Sequence, residues 1–152
     1  MDIKFSFIGE FCHSVDDKGR LALPGKLREE LSRSERPEEV VAYVNAVDGF
    51  LALYPYEQWR MVEDKVNAIT DNLTRQALAR ELGYNSERLG IDKSGRVLLG
   101  QKHRDIAGLS REVVVVGGLA KIEIWERGRL EERRIKEEAA VAEALRNVEV
   151  PL

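Results

Sequence analysis

Asp16-Asp17-Lys18-Gly19-Arg20-Leu21-Ala22-Leu23-Pro24-Gly25-Lys26-Leu27-Arg28 is answered 76 positions later by Asp92-Lys93-Ser94-Gly95-Arg96-Val97-Leu98-Leu99-Gly100-Gln101-Lys102-His103-Arg104. Asp16/Asp92, Gly19/Gly95, Arg20/Arg96, Leu23/Leu99, Lys26/Lys102 and Arg28/Arg104 are identical, six of thirteen positions. A window this short can reach six matches by chance, so the flanks decide. Glu39-Val40-Val41 follows the first copy, then a run ending Leu51-Ala52-Leu53-Tyr54 and a helical pattern. Glu112-Val113-Val114 follows the second, then Ile122-Glu123-Ile124-Trp125 and another helical pattern. One small α+β unit is written twice.

Working outward, Phe5 to Ser14 predicts a strand with Gly9 as a bulge. Asp17-Lys18-Gly19 is a tight turn and Leu21-Ala22-Leu23 the returning strand. Pro24 pre-sets a helix with Leu27 and Leu31 on one face. Glu39–Val47 and Phe50–Tyr54 form a hairpin through Asp48-Gly49. Pro55 opens a helix whose Trp59, Val62, Val66 and Ile69 share a face. A second helix spans about Leu73 to Leu82, capped by Asp71 or Asn72 and stopped by Gly83. In the second unit Tyr84 to Ile91 is a strand by analogy, and a short helix near Gln101 to Ala107 ends at Gly108. Arg111–Val116 and Lys121–Trp125 make a hairpin turned through Gly117-Gly118. Leu130 to Arg146 is a charged helix with a narrow apolar stripe. The expected organisation is repeat 1 at 8–56, linking helices at 57–83, repeat 2 at 84–127 and a C-terminal helix at 128–152. No linker rich in Pro, Gly or Ser divides the halves, so one interlocked body is expected.

Composition narrows the classes of function. With 152 residues, 43% hydrophobic and 34% charged, the chain is globular. No apolar run is long enough to span a bilayer, and no signal peptide is visible. A single cysteine, Cys12, cannot form an internal disulfide and suits a reducing cytosol. The net charge of −3 counts against indiscriminate coating of nucleic acid. Charge is segregated, however. Lys18 to Arg28 holds four cations and no acid, as does Lys93 to Arg104, while acids concentrate in Glu29–Glu39, Asp64–Asp71 and Glu126–Glu143.

The pairs Asp16–Arg20 and Asp92–Arg96 admit two readings. As exposed ion pairs across a turn they contribute little. Alternatively, each turn presents cations to a polyanion while the aspartate orients the arginine fork. Arginine can hold guanine O6 and N7 with two hydrogen bonds. Lys26 and Arg28, just inside a helix start, could add phosphate contacts. The candidate DNA-binding residues are therefore Lys18, Arg20, Lys26, Arg28, Lys93, Arg96, Lys102 and Arg104, with Asp16 and Asp92 as orienting partners. Catalytic signals are poor. Neighbours on a strand, Cys12 and His13 point to opposite faces. Two histidines and one cysteine offer no zinc spacing, and no phosphate-cradling glycine loop occurs. No enzyme, metal or cofactor is expected. Trp59 and Trp125 are expected in the core or at a subunit contact, the latter with Tyr54 as an aromatic strand end.

Val15 to Arg28 resembles the first signature of the bacterial MraZ family, and Asp92 to Arg104 with Ala107-Gly108-Leu109 resembles the second. Ile122-Glu123-Ile124-Trp125 resembles the family's closing strand. The resemblance implies a tandem-repeat, AbrB-like swapped-hairpin β-barrel with flanking helices. It implies a sequence-specific, double-stranded-DNA-binding regulator of the cytosol and nucleoid, without a membrane association. Such proteins typically repress the division and cell-wall gene cluster, acting as homo-oligomeric rings on short G-rich direct repeats in promoters. Arg20 and Arg96 match the hallmark arginines. Gly100 stands where proline is expected and His103 where leucine is expected, which implies a second turn less closely applied to DNA. The rival expectation is an oligomeric assembly protein whose basic turns form salt bridges between subunits.

Overall fold

The computed structural model describes residues 3–148 and 151–152. The ends of the chain at 1–2, and 149–150 within the expected C-terminal unit, lie outside the described residues. The elements are β1 (Glu10–Ser14), β2 (Arg20–Ala22), α1 (Gly25–Leu31), β3 (Glu39–Asn45), β4 (Phe50–Tyr54), α2 (Tyr56–Asn67), α3 (Asn72–Tyr84), β5 (Ser86–Gly90), β6 (Arg96–Leu98), α4 (Gln101–Ala107), β7 (Glu112–Gly117), β8 (Ile122–Trp125) and α5 (Arg127–Asn147). The order strand, strand, helix, hairpin occurs twice, and the class is α+β.

Six strands form one sheet in the order β1-β7-β8-β4-β3-β5, and β2 pairs with β6 in a two-stranded ribbon. Every strand of the first half therefore pairs with one of the second: β1 with β7, β2 with β6, β3 with β5 and β4 with β8. Separating the halves would expose ladder edges on both, so neither half can close its own hydrogen bonds. The expected closed barrel does not form. β1 and β5 are the two edges of an open sheet, and among the described residues the ribbon is bridged to the chain just beyond them by the single pairs Val15↔Leu21 and Ile91↔Val97. The physical reason is length. Each ribbon strand has three residues before Pro24 or Gly100 turns the chain into a helix. Three residues are too few to extend a ladder to the sheet.

Strand alternation sorts side chains onto two faces. Leu51, Leu53, Val40, Ala42, Val44, Val113, Val115, Ile122 and Ile124 enter the main core, together with Phe7, Leu21, Leu27, Val97 and Leu99. Phe50, Ala52, Val114 and Trp125 face outward and are covered by Leu130 of α5. Trp125 stacks on Phe50 at 4.7 Å and is 4% exposed. It is thus an internal anchor, the first of the two placements expected from the sequence. Trp59 of α2 packs against Tyr54 and Tyr43 on the same outer side. The helices are anchored alike: Trp59 and Leu130 each lie four residues after the cap, Pro55 and Glu126.

Three local boundaries differ from the sequence reading. Gly83 lies inside α3, and Asn85 caps it by donating to the Glu81 carbonyl and carboxylate. α3 buries none of its side chains. Gly9, at φ 120, breaks the expected strand so that β1 begins only at Glu10, and Phe7 makes a separate bridge with both hydrogen bonds to Leu119 (2.8 and 3.1 Å). The β7–β8 turn falls after Gly117, which still pairs with Ile122, and Leu119 takes a positive φ of 62. That conformation is costly for leucine, and the Phe7 bridge holds it.

Candidate nucleic-acid interface

Each basic turn is built around its aspartate. Asp16 Oδ1 accepts the backbone N–H groups of Lys18 and Arg20 at 2.9 Å each, and Oδ2 accepts Arg20 Nε at 2.7 Å. Asp92 repeats this with Ser94 and Arg96 at 2.9 Å, and with Arg96 Nε at 3.0 Å. Gly19 and Gly95 close the turns at φ 88 and 77. The two readings of the Asp–Arg pair are compatible. The carboxylate engages Nε, so the two terminal nitrogens of each guanidinium remain as outward donors. Both arginines are about one third exposed, at 34% and 36%.

The Arg20 backbone N–H, aided by the Arg20 side chain and the Lys18 N–H, lowers Asp16 from 3.8 to about 2, together outweighing the opposing desolvation. Asp92 is lowered for the same reasons, led by the Arg96 backbone N–H. A carboxylate with a depressed folded-state pKa stabilises the fold above its unfolded value, and loses that contribution as pH falls through its folded value. The turn should stay formed from neutral pH down to about pH 3. A carboxyl-carbon NMR titration of Asp16 should give a midpoint of about 2. A midpoint at the ordinary 3.8 would show the turn open in solution.

The helical cations divide between two directions. Positions two apart on a helix differ by roughly 200° around the axis. Lys26 and Arg28 accordingly leave α1 on opposite sides, as do Lys102 and Arg104 on α4. Lys26 is exposed and has no ion pair among the described residues. Lys102 is turned onto the end of α3: its Nζ donates to the Tyr84 carbonyl at 3.0 Å and sits 3.5 Å from the Tyr84 ring centroid. Lys102 is thereby set apart from the other seven cations, and nothing in the spacing of residues 84 and 102 marks Tyr84 as its partner. Between them, at the position matching buried Leu27, His103 points into the core and is 4% exposed. Burial lowers its pKa, outweighing the nearby Glu87, and its Nδ1 has no hydrogen-bond partner.

The remaining two arginines cross over. A Cβ at Gly19 would lie 3.0 Å from the Leu99 carbonyl oxygen and 3.1 Å from the Arg104 guanidinium carbon. In the other turn, the Arg28 guanidinium fills the space that a side chain on Gly95 would need. Backbone bonds follow the same crossing: Leu99 N–H donates to Gly19 O at 2.8 Å, and Leu23 N–H to Gly95 O at 3.0 Å.

No group of three or more His, Cys, Asp or Glu side chains could hold a metal among the described residues. No helix there is long and apolar enough to cross a membrane. Cys12 is exposed on β1, where Arg127 of α5 reaches its sulfur at 3.1 Å, a contact across 115 positions that sequence reading could not find.

This geometry has relatives. The family model described as "MraZ protein, putative antitoxin-like" matches residues 6–80 and 85–146. The chain belongs to the MraZ family. The match spans both turns, both hairpins and most of α5. A Transcriptional regulator MraZ from Syntrophotalea carbinolica is 38% identical over 148 residues, covering 93% of this chain and 97% of that protein. One from Pediococcus pentosaceus is 36% identical over 127 residues, covering 83% and 85%. A third, from Clostridium tetani, is 35% identical over 127 residues, covering 83% and 85%. Near-complete coverage of these MraZ relatives means that the resemblance extends over the whole architecture and is not limited to the turns.

Proposed function

We propose that this protein is a sequence-specific, DNA-binding transcriptional regulator of the cytosol and nucleoid. In this reading it represses the division and cell-wall gene cluster and acts as a ring on short G-rich direct repeats. The observation that carries the reading is the β2–β6 ribbon. Its register pairs Arg20 with Leu98 and Ala22 with Arg96. Leu21 and Val97 face the core, while Ala22 and the 57%-exposed Leu98 flank the two arginines on the outer side. A two-stranded ribbon fits the major groove of B-DNA. There the arginine forks suit guanine, and Ala22 and Leu98 suit thymine methyl groups. The names of the relatives, each a transcriptional regulator, support the same reading. The exchange of strands between halves supports an AbrB-like, swapped-hairpin kinship and the division into repeats at 8–56 and 84–127, joined by helices at 57–83 and followed by the 128–152 tail. Fluorescence anisotropy on a G-rich direct-repeat duplex and on a scrambled one tests it, and equal affinity for both would refute sequence-specific binding.

The same reading separates the lysines. Lys26→Ala should reduce the slope of log affinity against log salt by about 0.9, as loss of one phosphate contact does. Lys102→Ala should leave the slope unchanged and lower the melting temperature, because its ammonium caps α3. A reduced slope for Lys102→Ala would return it to the DNA-facing set.

Self-association rests on α5. At 1.5 Å per residue this helix is about 31 Å long. Only Leu130 is buried, and the face that carries it continues through Val141 and Leu145, both more than half exposed. The sheet ends before that face does, and a second copy is its proposed partner. A weak module repeated around a ring gains avidity on tandem sites through effective concentration. Leu145→Glu should reduce the oligomer mass in light scattering and leave the circular dichroism spectrum unchanged. An unaltered mass would place the subunit contact elsewhere. High salt distinguishes the rival: an assembly protein joined by salt bridges at its basic turns would dissociate, whereas a DNA-reading ring would release DNA and stay intact.

A further inference from the structure

Resting on the DNA-reading proposal above, the crossing arginines assign unequal roles to the two repeats. We propose that each reading turn is a composite of both halves, in which Arg104 is a positioning residue for the Lys18–Arg20 turn and Arg28 is an anion-contacting residue of the Lys93–Arg96 turn.

The first turn is held from the second half at two points, the Leu99 N–H and the Arg104 guanidinium, and the second of these is itself fixed within the second half. Gly19 O accepts the Leu99 N–H at 2.8 Å, and Leu99 O accepts Arg104 Nε at 3.1 Å. The Arg104 guanidinium lies over Gly19, and its Nη2 donates to Gln101 Oε1 at 3.0 Å. Leu99, 1% exposed, links them: its N–H fixes the turn and its carbonyl fixes the arginine. Arg104 is half-buried, and two of its hydrogen-bonding groups are spent inside the protein. A donor so engaged suits holding a turn better than reaching a phosphate.

Arg28 is the opposite case. It sits over Gly95 in the same way, but it is exposed and has no side-chain hydrogen bond among the described residues. Its five donors remain available beside Lys93 and Arg96, which makes a compact cationic group for a backbone phosphate.

The crossing also moves the consequence of Gly100 and His103. Read along the chain, these residues belong to the second turn. In space, the helix they begin and anchor carries the arginine of the first turn. Variation in α4 therefore acts on the Arg20 turn.

The test uses the full-length protein, with Arg104→Gln, Arg28→Gln and the milder Arg104→Lys, which keeps the charge and loses the fork. Without DNA, Arg104→Gln should shift the amide resonances of Lys18, Gly19 and Arg20 and speed their hydrogen exchange, leaving Lys93 to Arg96 in place. Arg104→Lys should do the same more weakly. On a G-rich direct-repeat duplex, Arg104→Gln should weaken binding about tenfold with an unchanged salt slope. That loss should shrink in an Arg20→Ala background and persist in full in an Arg96→Ala background. Arg28→Gln should instead reduce the salt slope by about one and couple to Arg96. Amide shifts at Lys93–Arg96 in Arg104→Gln, or coupling of Arg104 to Arg96, would overturn the assignment. If the wild type fails to discriminate duplexes, the functional reading fails, and the amide pattern of the free protein still decides which turn Arg104 holds.

Discussion

Phe7→Ala should lower the unfolding free energy by about 3–5 kcal/mol, the usual cost of truncating a buried phenylalanine. Phe7 has no exposed surface, and its ring stacks with Phe5 at 5.6 Å. Its backbone holds Leu119 at positive φ, and a side chain at Gly117 would collide with the Phe7 carbonyl group. The segment before it is tied to α1 as well: Ser6 N–H donates to Glu30, and Arg33 donates to the Lys4 carbonyl. The opening residues thus join α1 of the first half to the β7–β8 hairpin of the second. Urea unfolding followed by circular dichroism measures the effect. A loss below about 1 kcal/mol would show that the segment is not docked in solution. Affinity for DNA per folded molecule should be unaffected, because Phe7 makes none of the hydrogen bonds of the ribbon or of the two turns.

Arg20→Ala should weaken binding to the specific duplex by about 1–3 kcal/mol while affecting a scrambled duplex less, since it removes a bidentate base contact. The Asp16 hydrogen bonds to the Lys18 and Arg20 backbone N–H groups do not need the side chain, so the turn should persist and stability should change little. This separates reading from folding. Competition anisotropy against both duplexes, with oligomer mass checked, decides it. Equal binding and equal selectivity would reduce Asp16–Arg20 to an exposed ion pair of little consequence.

The sequence by itself determined the local chemistry. Asp, Gly and Arg at fixed offsets dictate a tight turn with the aspartate and arginine paired across it, and both pairs formed, each through the arginine Nε. Pro24 and Pro55 placed helix starts, Gly108 at φ 66 placed a helix end, and Asp48-Gly49 placed a hairpin. Such features depend on a few neighbouring dihedrals and bonds, and need no distant partner. Gly83 misled because a glycine near a helix end is a common stop, yet Asn85 supplied the capping bonds two residues later.

Tertiary structure alone decided which copy of the motif supports which. An internal repeat is degenerate in this respect. Arg28 could lie over its own turn or over the other, and the pattern of residues is the same in both cases. Strand exchange settles the choice. Once β2 runs antiparallel to β6, the chain leaving one strand passes beside the turn that enters the other. Arg104 then covers Gly19 and Arg28 covers Gly95. The same closure buried Trp125 beneath Leu130 and turned Lys102 toward Tyr84. Each of these contacts joins residues whose separation along the chain carries no information about their distance in space.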